Sequence, residues 1–260
     1  MLPGMEAGQR LGVAAGFLLA PFTGAVALVR RARTFHPEGA VRRAEVAPLP
    51  GPLGPVARRL AGPALVRLSS AWWRGGKEWL DALGCAVRFG HSPSAAPQPG
   101  DQDLLFATIR SPWTTLLAPL TTEQHDFLAN DYYAVSPFQV NGAGRCQLRL
   151  VCPRPRGLRG SRGERLQKAV ERGEASLQLQ LRLEGADWTP LAEIRLLEAS
   201  PIDQAALRFS PFRDGRGFAP RGFVHGLRVA TYALSQLARP RLRESGSRGV
   251  LPQRTSGCGS

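Results

Sequence analysis

Apolar and polar residues alternate along three stretches in the second half of the chain. In Cys146-Gln-Leu-Arg-Leu-Val-Cys152 apolar side chains occupy every second position, and Leu177, Leu179, Leu181 and Leu183 are separated by polar residues. Ala192, Ile194 and Leu196 continue the pattern. A period of two is that of a strand with one face on a core, so all three stretches read as β-strands. The period changes to a helical one around Gly163 to Glu171, and again from Gly222 to Ala238. In the latter, Phe223, Leu227, Ala230, Leu234 and Leu237 line one face, and Pro240 ends the helix. Pro- and Gly-rich connections fall at 47–63, 90–102 and 153–163. The order, a strand-rich barrel followed by helix, predicts an α+β fold.

The first thirty residues follow neither period. From Leu11 to Val29 there is no charged residue, a run that just reaches the ~18 residues of a membrane-spanning helix. Pro21 and the glycines Gly12, Gly16 and Gly24 weaken a helix, while Ala25-Val-Ala27 fits a small-x-small cleavage pattern behind a poorly basic start. A packed or membrane-touching N-terminal helix leads, with a spanning helix and a signal peptide as its alternatives. If the segment spans, Arg30, Arg31 and Arg33 hold the domain after it on the cytoplasmic side. The expected division is an apolar helix or anchor at 1–30, one domain over 31–240, and a disordered polar tail at 241–260. The expected location is the cytoplasm, with possible membrane association through 11–29.

Charge narrows the choice of partner. Of 260 residues, 34 are basic and 20 acidic, giving a formal charge of +14, and only Lys77 and Lys168 are lysines. Arginine's planar fork suits carboxylates and phosphates. The arginines are scattered from Arg10 to Arg254 without aromatic interleaving, so nucleic-acid binding is not expected. Cys85, Cys146, Cys152 and Cys258 form no C-x-x-C pair, which points to reduced thiols rather than a zinc site or a disulfide framework. Cys146 and Cys152 share a strand parity and read as inward-facing core residues.

Arg228 and Tyr232 stand one turn apart on the last helix, beside its apolar stripe. A guanidinium held against a phenol favours the phenolate, an anionic oxygen able to ligate ferric iron. The surrounding residues add to this pair. Phe209-Ser-Pro211, a Gly- and Pro-rich loop, Arg228, Tyr232 and then Arg239 resemble the proximal region of catalases. Far upstream, Arg33-Thr-Phe-His36-Pro-Glu-Gly39 resembles the distal R-x-x-H-x-x-G segment of the same family. Ala64-Leu-Val-Arg67-Leu-Ser69 is similar to its V-R-F-S stretch, and Asp81-x-x-Gly84-x-Ala86-x-Arg88-Phe89 to its D-x-x-G-x-A-x-K-F continuation. The run from Tyr132-Tyr133 and Phe138 to Pro153 matches more loosely, and core packing explains its aromatics equally well.

The resemblance, to the small catalase-like proteins without long wrapping arms, covers about Arg31 to Arg239. It implies a closed antiparallel β-barrel with surrounding helices and haem b as cofactor, with hydrogen peroxide or an organic hydroperoxide as substrate. It also implies roles: Tyr232 ligates the iron, Arg228 supports the phenolate, and Arg33, Arg67 and Arg239 meet the haem propionates. His36 is the distal acid/base, and Ser69 orients it. One departure is visible. Catalases carry a distal asparagine beside the histidine, and alignment of Gly100-Asp-Gln-Asp-Leu-Leu-Phe106 sets Gly100 or Asp101 in its place. This leaves two expectations: a haem-dependent peroxidase or catalase-like enzyme, or a non-catalytic haem-binding or membrane-peripheral protein with a degenerate distal pocket.

Overall fold

A computed structural model describes residues 39–73, 75–90, 94–110, 117–134, 136–204 and 206–221. The alternating stretches form β7 (Gly144–Val151), β8 (Ser176–Leu183) and β9 (Thr189–Ala199). Cys146, Leu148 and Leu150 are buried, as are Leu177, Leu179, Leu181, Ile194 and Leu196.

The N-terminal half adds a meander of hairpins: β1 (Gly39–Pro48), β2 (Gly62–Ser70), β3 (Leu83–Phe89) and β4 (Gln102–Ala107). β2, β3 and β4 show little alternation because both their faces are covered, β2 being buried without a break from Ala64 to Ser70, whereas β1 alternates between buried Ala44 and Val46 and exposed Arg43 and Glu45. β4 passes to β7 through the short β5 (Tyr132–Tyr133), β7 pairs with β8, and β9 returns to β1. Eight antiparallel strands in the order β1-β2-β3-β4-β5-β7-β8-β9 thus close a barrel, whose ring has no terminal strand. β6 (Phe138–Val140) lies along the same edge of β7 as β5, and β10 (Phe218–Pro220) adds to β6. The seam beside β4 is closed by an isolated antiparallel bridge of Gln102 to Asp214 and by the Gln102 side chain. The fully buried Gln102 donates to the Phe218 carbonyl at 3.0 Å and accepts from the Phe218 amide at 3.2 Å, standing in for a strand pair.

The lumen is a packed apolar core built from Val66, Leu68, Val87, Phe89, Leu104, Leu148, Leu179 and Ile194 among others. Cys85, Cys146 and Cys152 belong to it, as the strand parity of the last two requires. Tyr132 is fully buried and its hydroxyl donates to the Phe127 carbonyl at 2.8 Å. Among the described residues three short α-helices accompany the barrel: α1 (Gly54–Arg58), inside the Pro/Gly-rich 47–63 stretch, α2 (Ala118–Thr121) and α3 (Arg162–Glu171). α3 begins one residue before the position its period predicts. Ser161 and Glu164 form a reciprocal capping box there, and Leu166 and Ala169 are buried in the core. The predicted helix from Gly222 to Ala238, residues 1–30 and the tail beyond 240 lie outside the described residues. Among the described residues no helix is long and apolar enough to cross a membrane.

Candidate functional site

Strand parity sorts the four meander strands into a lumen face and an outer face. Ala64, Val66 and Leu68 of β2 enter the core, so Leu65, Arg67 and Ser69 point outward; on β3 and β4 the outward set is Gly84, Ala86, Arg88, Asp103, Leu105 and Ala107. The outer face is nonetheless buried. Arg67 is 4% exposed and Ser69 3%. The chain after β9 covers part of it: Leu207 and Phe209 form a second apolar cluster with Val41 and Leu65, joined at its margin by Ala86, Leu105 and Ile202.

A buried ionic latch holds that segment in place. Arg88 pairs with Asp103 through Nε at 3.0 Å, and both side chains are almost fully buried. Asp103 also accepts the Ser210 amide at 2.8 Å and pairs with Arg213. Arg88 donates to the carbonyls of Ser94 and Ala95, each at 3.1 Å, and to that of Arg208, while its guanidinium stacks on Phe209. Burial pushes the Asp103 carboxyl up, against the opposing pull of Arg88, the Ser210 amide and Arg213. Desolvating these ions is costly, and the several charged hydrogen bonds they share offset that cost. The latch binds the Phe209-Ser-Pro segment, which the sequence separates from β3 by over a hundred residues, onto the face that carries Arg67.

Across the sheet Val41, Arg67, Ala86 and Leu105 form one row, and Gly39, Ser69, Gly84 and Ala107 the next. The second row lies at the end of the barrel where β1 begins, three residues after His36 in sequence. Gly39 is required there by close approach: a Cβ at this position would collide with the Leu68 carbonyl oxygen and lie 2.9 Å from Ser69 Cβ. The same register places Gly100 and Asp101, which the alignment set in the position of the distal asparagine. Both residues lie at the opposite end of β4, about 20 Å from Ala107 at the rise of a strand. Asp101 is occupied there by the Gln98 amide at 2.8 Å. The corner opposite Gly84 holds Ala107, followed by Thr108, whose hydroxyl accepts the Leu83 amide at 3.0 Å and the Thr122 hydroxyl at 2.7 Å.

Of the residues singled out from sequence, Arg67 and Ser69 are described, and they are brought together on one buried face. Arg33, His36, Arg228, Tyr232 and Arg239 lie outside the described residues. Sequence reasoning missed Asp103 and Arg213 altogether and took Arg88 only as part of a motif. A charged residue at an apolar-flanked strand position, Asp103 before Leu104-Leu-Phe106, was the available signal. A shallow groove of about 350 Å³, lined by Gln98, Asp101, Phe212 and Arg213, opens to solvent at the far end of the same face. Among the described residues no three His, Cys, Asp or Glu side chains gather as a metal site. No protein-family model matches the chain, and no curated protein matches it.

Proposed function

We propose that this chain is a haem protein of the catalase superfamily acting on hydrogen peroxide or organic hydroperoxides, with haem b ligated by Tyr232 and His36 as distal acid/base. The observation that carries this reading is the convergence on one barrel face of Arg67, Ser69 and the latched Phe209-Ser-Pro segment, residues from both ends of the motif set. The surface suits the cofactor chemically. Arg67 stands buried on this face, and a guanidinium there is the group that a propionate carboxylate calls for.

In this reading Arg33, Arg67 and Arg239 pair with the propionates, and Arg228 holds the Tyr232 oxygen as phenolate. Ser69, at the start of the face, orients His36. When bound, the haem supplies a ferric centre that polarises the O–O bond. His36 takes the proton from the hydroperoxide oxygen and returns it to the departing oxygen. A visible spectrum of protein expressed with haem tests the reading. A phenolate-ligated ferric spectrum that is lost in Tyr232→Phe, with hydroperoxide turnover lost in His36→Ala, is the expected result; unchanged spectra and turnover in those variants overturn it.

Ala107 at the corner favours a second reading, a haem-binding protein without catalysis. The side chain there has no donor, and the neighbouring Thr108 hydroxyl is already engaged. A Soret band without turnover of hydrogen peroxide or lipid hydroperoxides would select it.

A further inference from the structure

The β2–β3 loop, 71–82, exposes Trp72 (40%), Trp79 (56%) and Leu80 (50%). Beside it α2 and its flank expose Leu117 (57%) and Leu120 (68%). The two are one surface, because Ala118 packs in a small buried cluster with Ala71 and Ala82 at the loop's base. Exposed apolar side chains scattered singly need no explanation, but five gathered at one end of a barrel do.

The tip is built rather than loose. Asp81 is fully buried and accepts the amides of Trp72 and Ala82, the Ser70 hydroxyl donates to the Trp73 carbonyl, and the Trp73 indole donates to the Leu80 carbonyl at 3.0 Å. Trp73 and Trp79 meet edge to face at 4.9 Å, with the Lys77 ammonium 4.6 Å above the Trp79 ring. A preformed tip loses little freedom on binding.

Charge selects the partner. Two of the acids near the patch are engaged within the protein, Asp81 closing the loop and Glu78 accepting the Arg162 amide and meeting His125, while the exposed Glu123 accepts the His125 amide. Lys77 remains outward in a loop whose sequence also carries Arg74, and Ser111 to Thr122 contains no charge at all. Indole rings and leucines beside the Lys77 ammonium, on a chain of net charge +14, match an interface between acyl chains and anionic headgroups. We propose that this end of the barrel seats on an anionic lipid bilayer through Trp72, Trp79, Leu80, Leu117 and Leu120. The inference stands independently of the haem reading, and it concerns a surface distinct from residues 11–29.

The test is binding of the full chain to vesicles of phosphatidylcholine with about a third phosphatidylserine, read by tryptophan emission and its quenching by brominated acyl chains. The expected result is a blue-shifted, quenched emission that weakens as salt is raised or phosphatidylserine is omitted. Trp79→Ser/Leu80→Ser and, separately, Leu117→Ser/Leu120→Ser should each lower partitioning about tenfold or more. Trp188→Phe, at the opposite end of the barrel in the β8–β9 turn, should leave it unchanged. Exposed sites make these variants compatible with folding, which a melting curve checks. Three outcomes would overturn the proposal: no vesicle binding, binding equal to wild type in both patch variants, or a patch whose substitution abolishes self-association in place of vesicle binding.

Discussion

The latch shows how much single residues carry in this fold. Asp103→Asn leaves Arg88 buried without its counter-charge, and loses an acceptor shared by the Ser210 amide and Arg213. Breaking a buried pair from one side costs about 3–5 kcal/mol, and urea denaturation measures it. A loss near zero would show that the pair is not buried in solution. Gly39→Ala should cost about 1–3 kcal/mol, because the added methyl forces β1 away from β2. At this scale the sequence was legible in part. Arg67 and Ser69 could be named from their motif, and Cys146 and Cys152 from their parity. Arg213 could not, since its partner Asp103 lies 110 residues away, and Asp103 offered only a charge set before the apolar Leu104-Leu-Phe106.

Among the elements, legibility followed coverage. β7, β8 and β9 each have one covered face, and their alternation was plain. β2 to β4 are covered on both faces, so their periodicity was lost, while β1 alternates only over the short run from Arg43 to Val46. α3 announced itself through Ser161 and Glu164, and the cap makes a definite prediction: Ser161→Ala lowers stability by about 1 kcal/mol in denaturant melts. The same helix end gathers Glu78 from the β2–β3 loop. Burial pushes this carboxyl up, but hydrogen bonds from the Arg162 amide and His125, with the nearby positive charges, outweigh it and hold it below its usual range. A carboxyl depressed in the folded state contributes stability that is complete above its unfolded value of about 4.3 and is lost as pH falls through the lower folded value. Acid titration of stability should therefore be steeper in wild type than in Glu78→Gln below about pH 5; parallel curves would remove Glu78 from the account.

The whole molecule adds what no segment contains, namely closure. Nothing in β7 or β8 alone shows that they meet, or that β9 returns to β1. Closure predicts cooperative behaviour of the three core thiols. Burial pushes Cys146 up to about 12, and Cys85 and Cys152 are raised as well, so all three are protonated and shielded. Iodoacetamide at mildly alkaline pH, followed by peptide mapping, should spare them in the native protein and modify them at one common rate across the unfolding transition. Separate rates would indicate a barrel that opens in pieces.

The ring also imposes a timetable on synthesis. β1 can pair with β2 soon after both emerge from the ribosome, but its other neighbour is made much later, with roughly 150 residues between Val46 and its partner Ile194. At about 5–20 residues per second, that edge of β1 waits about 7 to 30 seconds, its amides and carbonyls open to any passing strand. Through that interval the nascent chain depends on whatever shelters the first hairpin, and a slowed ribosome lengthens the exposure in proportion.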